Sequence, residues 1–222
     1  MNDFMASLET QISFANSDID IIKPFGPAIL KTKVSNETLK SFQDKFARLD
    51  YNGKLLPTFP VLGDPNWVED TKNSVVKSYD LYKWFHSQAD VKTEITSIVS
   101  SYLVALHNEP VEARDYKRKS VTVYSIWANR QLANTWQPRH IHAKGISFIV
   151  YAHKPKINDF PHAGDIQFFY GENNEYNENL YFISPEEGDM LVFPSWLQHQ
   201  VIPYHSENLR VSIAGNAEIM TK

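Results

Sequence analysis

The sequence predicts a mainly β fold with flanking helices, in which the second half of the chain closes into an antiparallel barrel or sandwich. Three observations lead there. From about Ser120, short runs rich in β-branched and aromatic residues recur at 121–132, 144–152, 165–170, 180–183, 189–193, 200–204 and 209–219. The segments between them carry Pro155, Pro161, Gly164, Gly171, Pro185 and Gly188, whose fixed or permissive backbone angles favour turns. No helical spacer of the kind a parallel sheet requires lies among them.

The first half is mixed. Residues 25–34 read as a strand, and 36–49 as a helix whose Leu39, Phe42, Phe46 and Leu49 recur at helical spacing and define one buried face. A turn-rich passage at 51–65, with Gly53, Pro57, Pro60, Gly63 and Pro65, precedes a second helical region with breaks at 69–106. The texture changes near residue 115, so residues 1–115 are expected to pack as a mixed segment on a core formed by 116–222, the two making one structural unit. There is no internal repeat or low-complexity tract, and the polar stretch 171–179 reads as a solvated loop.

Composition narrows the chemistry. In 222 residues, a hydrophobic content of 42% supplies a full core. With 22 basic against 26 acidic residues spread along the chain, net charge −4, there is no electrostatic footprint for nucleic acid or an anionic membrane. No apolar run approaches the roughly 20 residues of a membrane helix, and residues 1–14 lack the features of a signal peptide, so a cytoplasmic protein is expected. The chain has no cysteine, which excludes disulfides, thiolate-bound zinc, cysteine-held iron–sulfur clusters and thiolate nucleophiles. Any metal must be held by His, Asp or Glu.

The sharpest local signal is Arg139-His140-Ile141-His142. In an extended strand His140 and His142 would share a face about 7 Å apart, able to converge on one cation. His199, just beyond another predicted strand, can approach from a neighbouring strand. Three imidazoles suit iron, zinc, copper or nickel and leave open coordination positions. Taken alone, such histidines are equally at home on a surface or in a hydrogen-bonded core. Arg210 adds weight: it sits in an alternating run at 209–213, and a guanidinium facing a pocket grips a carboxylate through two parallel hydrogen bonds. Its ordinary alternative is a solvent-facing residue or a partner for Glu207 or Glu218.

Read together, Trp127-Ala128-Asn129, Pro138-Arg139-His140-Ile141-His142, the run at 146–151, Gly164-Asp165-Ile166-Gln167-Phe168, the run at 185–199 and that at 210–216 resemble, in order and spacing, the Fe(II)/2-oxoglutarate-dependent oxygenase superfamily. The likeness covers roughly residues 120–219 and is strongest to a group of oxygenases from microbial and phage genomes. It implies a double-stranded β-helix core of jelly-roll or cupin-like form, with Fe(II), 2-oxoglutarate as co-substrate and O2. The implied reaction hydroxylates a substrate with release of succinate and CO2.

By the same resemblance His140 and His199 are the two histidine ligands and Arg210 pairs with the distal carboxylate of 2-oxoglutarate. His142 stands where most of the superfamily has Asp or Glu, which would give an all-neutral ligand set. Asp165 and Gln167 are the alternatives to it. Tyr151 or Asn129 is expected to hydrogen-bond the co-substrate, and Asn216, Tyr124, Trp127 and Gln167 to line the pocket. A small-molecule or peptide substrate and a monomer or homodimer are expected. The rival readings are a cupin-type metalloenzyme that does not use 2-oxoglutarate and a non-catalytic jelly-roll binding protein.

Overall fold

A strand buried on both faces must be apolar at consecutive positions, and a strand buried on one face only at alternate ones. Both patterns occur in this chain. Its computed structural model describes residues 20–22, 26–46, 67–69, 77–106, 119–131, 133–154, 160–172, 175, 179–205 and 210–221. In chain order these form β1 (Asp20–Ile22), β2 (Ile29–Lys33), α1 (Asn36–Phe46), β3 (Trp67–Glu69), β4 (Lys77–Asp80), α2 (Tyr82–Ser87), α3 (Ala89–Leu106), β5 (Lys119–Gln131), β6 (Gln137–His140), β7 (Ile146–His153), β8 (Ile166–Phe169), β9 (Leu180–Ile183), β10 (Asp189–Pro194), β11 (Gln198–Val201) and β12 (Arg210–Thr221).

The strands pair antiparallel in two sheets, an eight-stranded one in the order β1-β2-β10-β7-β12-β5-β4-β3 and a four-stranded one in the order β6-β11-β8-β9. Successive residues of the large sheet serve opposite faces. On β7, Phe148, Val150 and Ala152 enter the cluster shared with the helices, where Phe42, Phe85, Ile95 and Val99 pack. Ile149 and Tyr151 face the other way, toward Ile166, Phe168 and Ile183 of the small sheet. On β10, Met190 and Val192 divide from Leu191 and Phe193 in the same manner. The two facing sheets, with helices on the outer side of the larger, are a double-stranded β-helix with flanking helices. Among the described residues no helix is long and apolar enough to cross a membrane.

Most of the elements read from the sequence are present, with four corrections. The helical region expected from residue 69 begins only at Tyr82, because β3 and β4 precede it. Ser78 and Tyr79 pair with Asn129 and Ala128 on the edge of β5, and a long-range ladder overrides local helical preference. The strand expected at 200–204 is displaced to β11, which ends before Pro203, a residue without an N–H for the ladder. His199 therefore lies within a strand rather than beyond one. β6 ends at His140, so His142 is not a strand residue. Phe25, Leu49, the turn-rich passage at 51–65 and the boundary near 115 lie outside the described residues.

One glycine fixes the segment after His142. Gly145 has φ +83°, and a Cβ there would lie 2.1 Å from the backbone oxygen of Ala217, where the β12–β5 register shifts. That segment thus packs directly on β12. Gly145→Ala is expected to cost about 3 kcal/mol, combining a left-handed backbone with overpacking. Thermal unfolding should show this as a fall of roughly 6–12 °C in Tm.

Candidate metal centre and co-substrate pocket

Antiparallel pairing of β11 with β6 places His199 opposite His140, with ring centroids 4.3 Å apart. His142 reaches the same point by another route. Its backbone N–H donates to Ser195 O at 2.9 Å, and the Ser195 N–H donates to Gly145 O at 3.0 Å, so the segment is laced to the β10–β11 turn. The His142 ring stacks on His199 at 5.2 Å and 11°, and lies 5.2 Å from His140. One potential ligand atom from each of the three histidines lies within 4.8 Å of the others, and together they can hold a metal ion.

The Nδ1 atoms of His140 and His199 lie 2.7 Å and 2.9 Å from the carbonyls of Pro138 and Leu197. A carbonyl accepts only from an N–H, so Nε2 of each ring keeps its lone pair for a cation. Burial pushes the His199 pKa down to about 3, assisted by His140 and His142 and opposed by the bond to Leu197. Its ring is therefore neutral and competent to ligate at neutral pH. Phe193 and Phe168 pack on His199, and Trp127 lies 5.6 Å from His142.

The two residues held as alternatives to His142 are engaged elsewhere. Asp165 accepts from His162 Nδ1 at 3.0 Å, and the Gln167 side-chain oxygen accepts from Gln200 Nε2 at 2.6 Å. Neither belongs to the metal-competent group, which among the described residues comprises the three histidines.

Arg210 begins a second cluster on the same inner face. It is 2% exposed, which removes the solvent-facing alternative, and Glu218 pairs instead with Lys144 at 2.6 Å. Glu207 lies outside the described residues. Arg210 Nη1 donates to Gln131 Oε1 at 2.6 Å, and the guanidinium sits 5.1 Å from the Tyr151 ring centre. Among the described residues no carboxylate pairs with it. Arg210 Nε and the Tyr151 hydroxyl are two of three buried side-chain atoms there that lack a hydrogen-bond partner. Burial raises the Tyr151 pKa to about 12 against the opposing pull of Arg210, so the phenol keeps its proton and is a donor.

A buried, unpaired guanidinium costs several kcal/mol. Two orphaned donors side by side therefore fit an anionic ligand, and the chain's residues fit 2-oxoglutarate as they fit iron. Gln131, which orients Arg210 and is itself held by donating to Thr135 O at 2.7 Å, was missed from sequence. Its only signal was its place at the end of a predicted strand.

The two asparagines lie apart. Asn129 shares a cross-strand row with Ser212 and Tyr151, and its oxygen accepts from Ser78 Oγ at 2.7 Å. Asn216 lies toward the other end of β12, accepting from Ser147 Oγ at 2.8 Å and donating to Ser125 Oγ at 3.2 Å. Tyr124 donates to Lys144 O at 2.8 Å.

Residues 125–216 match the family model described as "Putative 2OG-Fe(II) oxygenase". This segment, somewhat under half of the chain, is similar to a 2OG-Fe(II) oxygenase core. No curated protein matches. Among solved structures, a prolyl-4-hydroxylase of Pseudomonas putida aligns with a TM-score of 0.54 at 11% identity, over 86% of this chain and 91% of that one. The epimerase SnoN in complex with Fe3+, α-ketoglutarate and nogalamycin RO aligns at 0.52 and 9% identity, over 86% and 78%. A prolyl hydroxylase of Trichoplax adhaerens, in complex with a hypoxia inducible factor peptide fragment, aligns at 0.51 and 15%, over 90% and 83%. At such identities the likeness establishes the shared fold.

Because no described residue accepts a hydrogen bond from the Tyr151 hydroxyl, Tyr151→Phe is expected to leave the unliganded protein unchanged or up to about 1 kcal/mol more stable in urea unfolding. A loss of about 1 kcal/mol or more would show that the hydroxyl is bonded within the protein.

Proposed function

We propose that His140, His142 and His199 hold the iron, that Arg210 and Tyr151 receive the distal carboxylate of 2-oxoglutarate, and that the enzyme hydroxylates a small molecule or peptide. The observation that carries this reading is the buried Arg210, without a counter-ion among the described residues and on the inner face shared with the histidines. Iron and 2-oxoglutarate together supply the oxidising power for inserting oxygen into a C–H bond, with succinate and CO2 as co-products.

The chain's own residues bind, orient and exclude water. Arg210, fixed by Gln131, offers its remaining N–H groups to a carboxylate, and the neighbouring Tyr151 hydroxyl adds a donor. Asn129 flanks this pair on the same row, while Asn216 supports the wall toward the opposite end of β12. Phe168 and Phe193 seal the side of His199 from solvent. A ligand set of three neutral imidazoles leaves the full charge of the metal uncompensated, which strengthens its attraction for an anionic co-substrate. The net charge of −4, with basic and acidic residues spread along the chain, supports a metabolite or peptide over nucleic acid.

Anaerobic calorimetry of the metal-free chain with Fe(II), followed by 2-oxoglutarate, tests the reading. Iron-dependent binding of 2-oxoglutarate is expected, weakened about 100-fold or more in Arg210→Ala, since removing a buried charged partner costs roughly 3 kcal/mol. His142→Ala is expected to lower iron affinity. Folded, iron-loaded protein that ignores 2-oxoglutarate would favour a cupin-type enzyme or a non-catalytic barrel.

A further inference from the structure

The pairing of β6 with β11 contains an irregularity that changes which side chains face the metal position. His140 stands opposite His199, but Gln137 rather than Pro138 stands opposite Val201. Two residues, Pro138 and Arg139, therefore oppose the single Gln200, which makes a β-bulge in β6. Without it, Gln137 and His140 would be three residues apart on a regular strand and face opposite sides. With it, Gln137 lies opposite Val201, which is buried on the same face of β11 as His199, and so turns to the inner side with His140. Proline at the bulge has no N–H to remove from the ladder. Arg139 points outward, lying 4.2 Å over the Phe169 ring and donating to Gln198 Oε1.

The consequence is a carboxamide inside the centre. Gln137 Nε2 lies 3.5 Å from His140 Nε2, the nitrogen left to the metal by the bond of Nδ1 to Pro138 O. That separation is longer than an ordinary N–H hydrogen bond, so the amide's donors are not tied up in the contact. They lie beside the His140 nitrogen that would face a metal.

We propose that Gln137 is a further co-substrate-binding residue, donating a hydrogen bond to the metal-side keto-acid end of 2-oxoglutarate while Arg210 holds the distal carboxylate. This rests on the proposed function and deepens it. The two ends of the co-substrate are then read by different strands: the bulged edge of the small sheet supplies the amide, and β12 of the large sheet the guanidinium.

The test uses the full chain loaded with Co(II), whose visible spectrum reports the coordination sphere directly. Co(II) affinity and spectrum, and the Kd for 2-oxoglutarate, are measured for wild type, Gln137→Ala, Gln137→Met and Arg210→Ala, with thermal unfolding as the check on folding. Met keeps the volume of Gln without its hydrogen bonds, so it separates a lost bond from a lost packing contact. Both Gln137 variants are expected to keep Co(II) affinity within about twofold of wild type. Their Kd for 2-oxoglutarate is expected to rise roughly tenfold or more, as for loss of a hydrogen bond to a charged group, with an altered spectrum of the ternary complex. An unchanged Kd in both variants overturns the proposal, and if Arg210→Ala still abolishes binding, the proposed function stands without it. A fall in Co(II) affinity that tracks the loss of 2-oxoglutarate binding assigns Gln137 to the metal or the fold, and also overturns it. Wild-type protein that takes up Co(II) but not 2-oxoglutarate removes both readings together.

Discussion

Everything in this molecule depends on the large sheet being covered on both faces. Helices lie against one side and the small sheet against the other, so a polar residue on the inner side has no water to turn to and must find a partner. Most do. Ser147, its proton committed to Asn216, accepts from Ser195 Oγ at 2.9 Å, and Asn216 continues the chain to Ser125. Gln131 spends both ends of its amide, on Arg210 and on Thr135. Against that background the unpaired Arg210 Nε and Tyr151 hydroxyl stand out, because the surrounding wall satisfies its polar groups internally. Two donors left over in such a wall are a description of the ligand, which must be an acceptor and should carry negative charge.

The electrostatics of the interior point the same way. His199 is held neutral by burial, so the centre contributes no negative charge of its own. Among the charged groups, the Arg210 cation acts most strongly on Tyr151, ahead of the buried Asp189 and Asp165. Lys154 also has its pKa lowered, chiefly by burial and in part by Arg210, although Asp165 pulls in the opposite direction. With no carboxylate paired to Arg210 among the described residues and none in the metal-competent group, the site has a deficit of negative charge. A doubly anionic oxo-acid corrects that deficit at both ends, and a neutral ligand would correct neither.

How much of this was legible in the sequence follows from the range of the interactions. The alternating runs at β7, β10 and β12 report burial that each strand experiences locally, and so they could be read directly. Arg210 was identified because it interrupts such a run with a charge, and His140 and His199 because their motifs resemble those of known oxygenases. The passage at 77–80 was misassigned because its conformation is dictated by the open edge of β5, some fifty residues away. Gln131 carries no local mark beyond its place at the end of a predicted strand, and Gln137 carries none. Their roles come from a cross-strand partner and from a one-residue slip in register, and a slip reverses the facing of every residue beyond it.

The three histidines are not held alike, and the difference matters for how the centre forms. His140 and His199 face each other across a hydrogen-bonded ladder, so closing the small sheet brings their rings together. His142 rides on a segment with exposed Ile141, Ala143 and Lys144, anchored by backbone bonds to Ser195 and by the close seat of Gly145 on Ala217. Ser195 thereby joins two networks. Its backbone holds the third histidine, while its buried hydroxyl leads through Ser147 to Asn216 on β12. The large sheet thus carries Arg210 and Tyr151 directly, and positions the third histidine indirectly, through Ser195. A shift of β12 against the small sheet would move Arg210 and His142 together, whereas His140 and His199 would stay paired. The placement of Arg210 relative to the three histidines is therefore set by how the two sheets are spaced, and the aromatic contacts of Phe168 and Phe193 fill the gap between them beside His199.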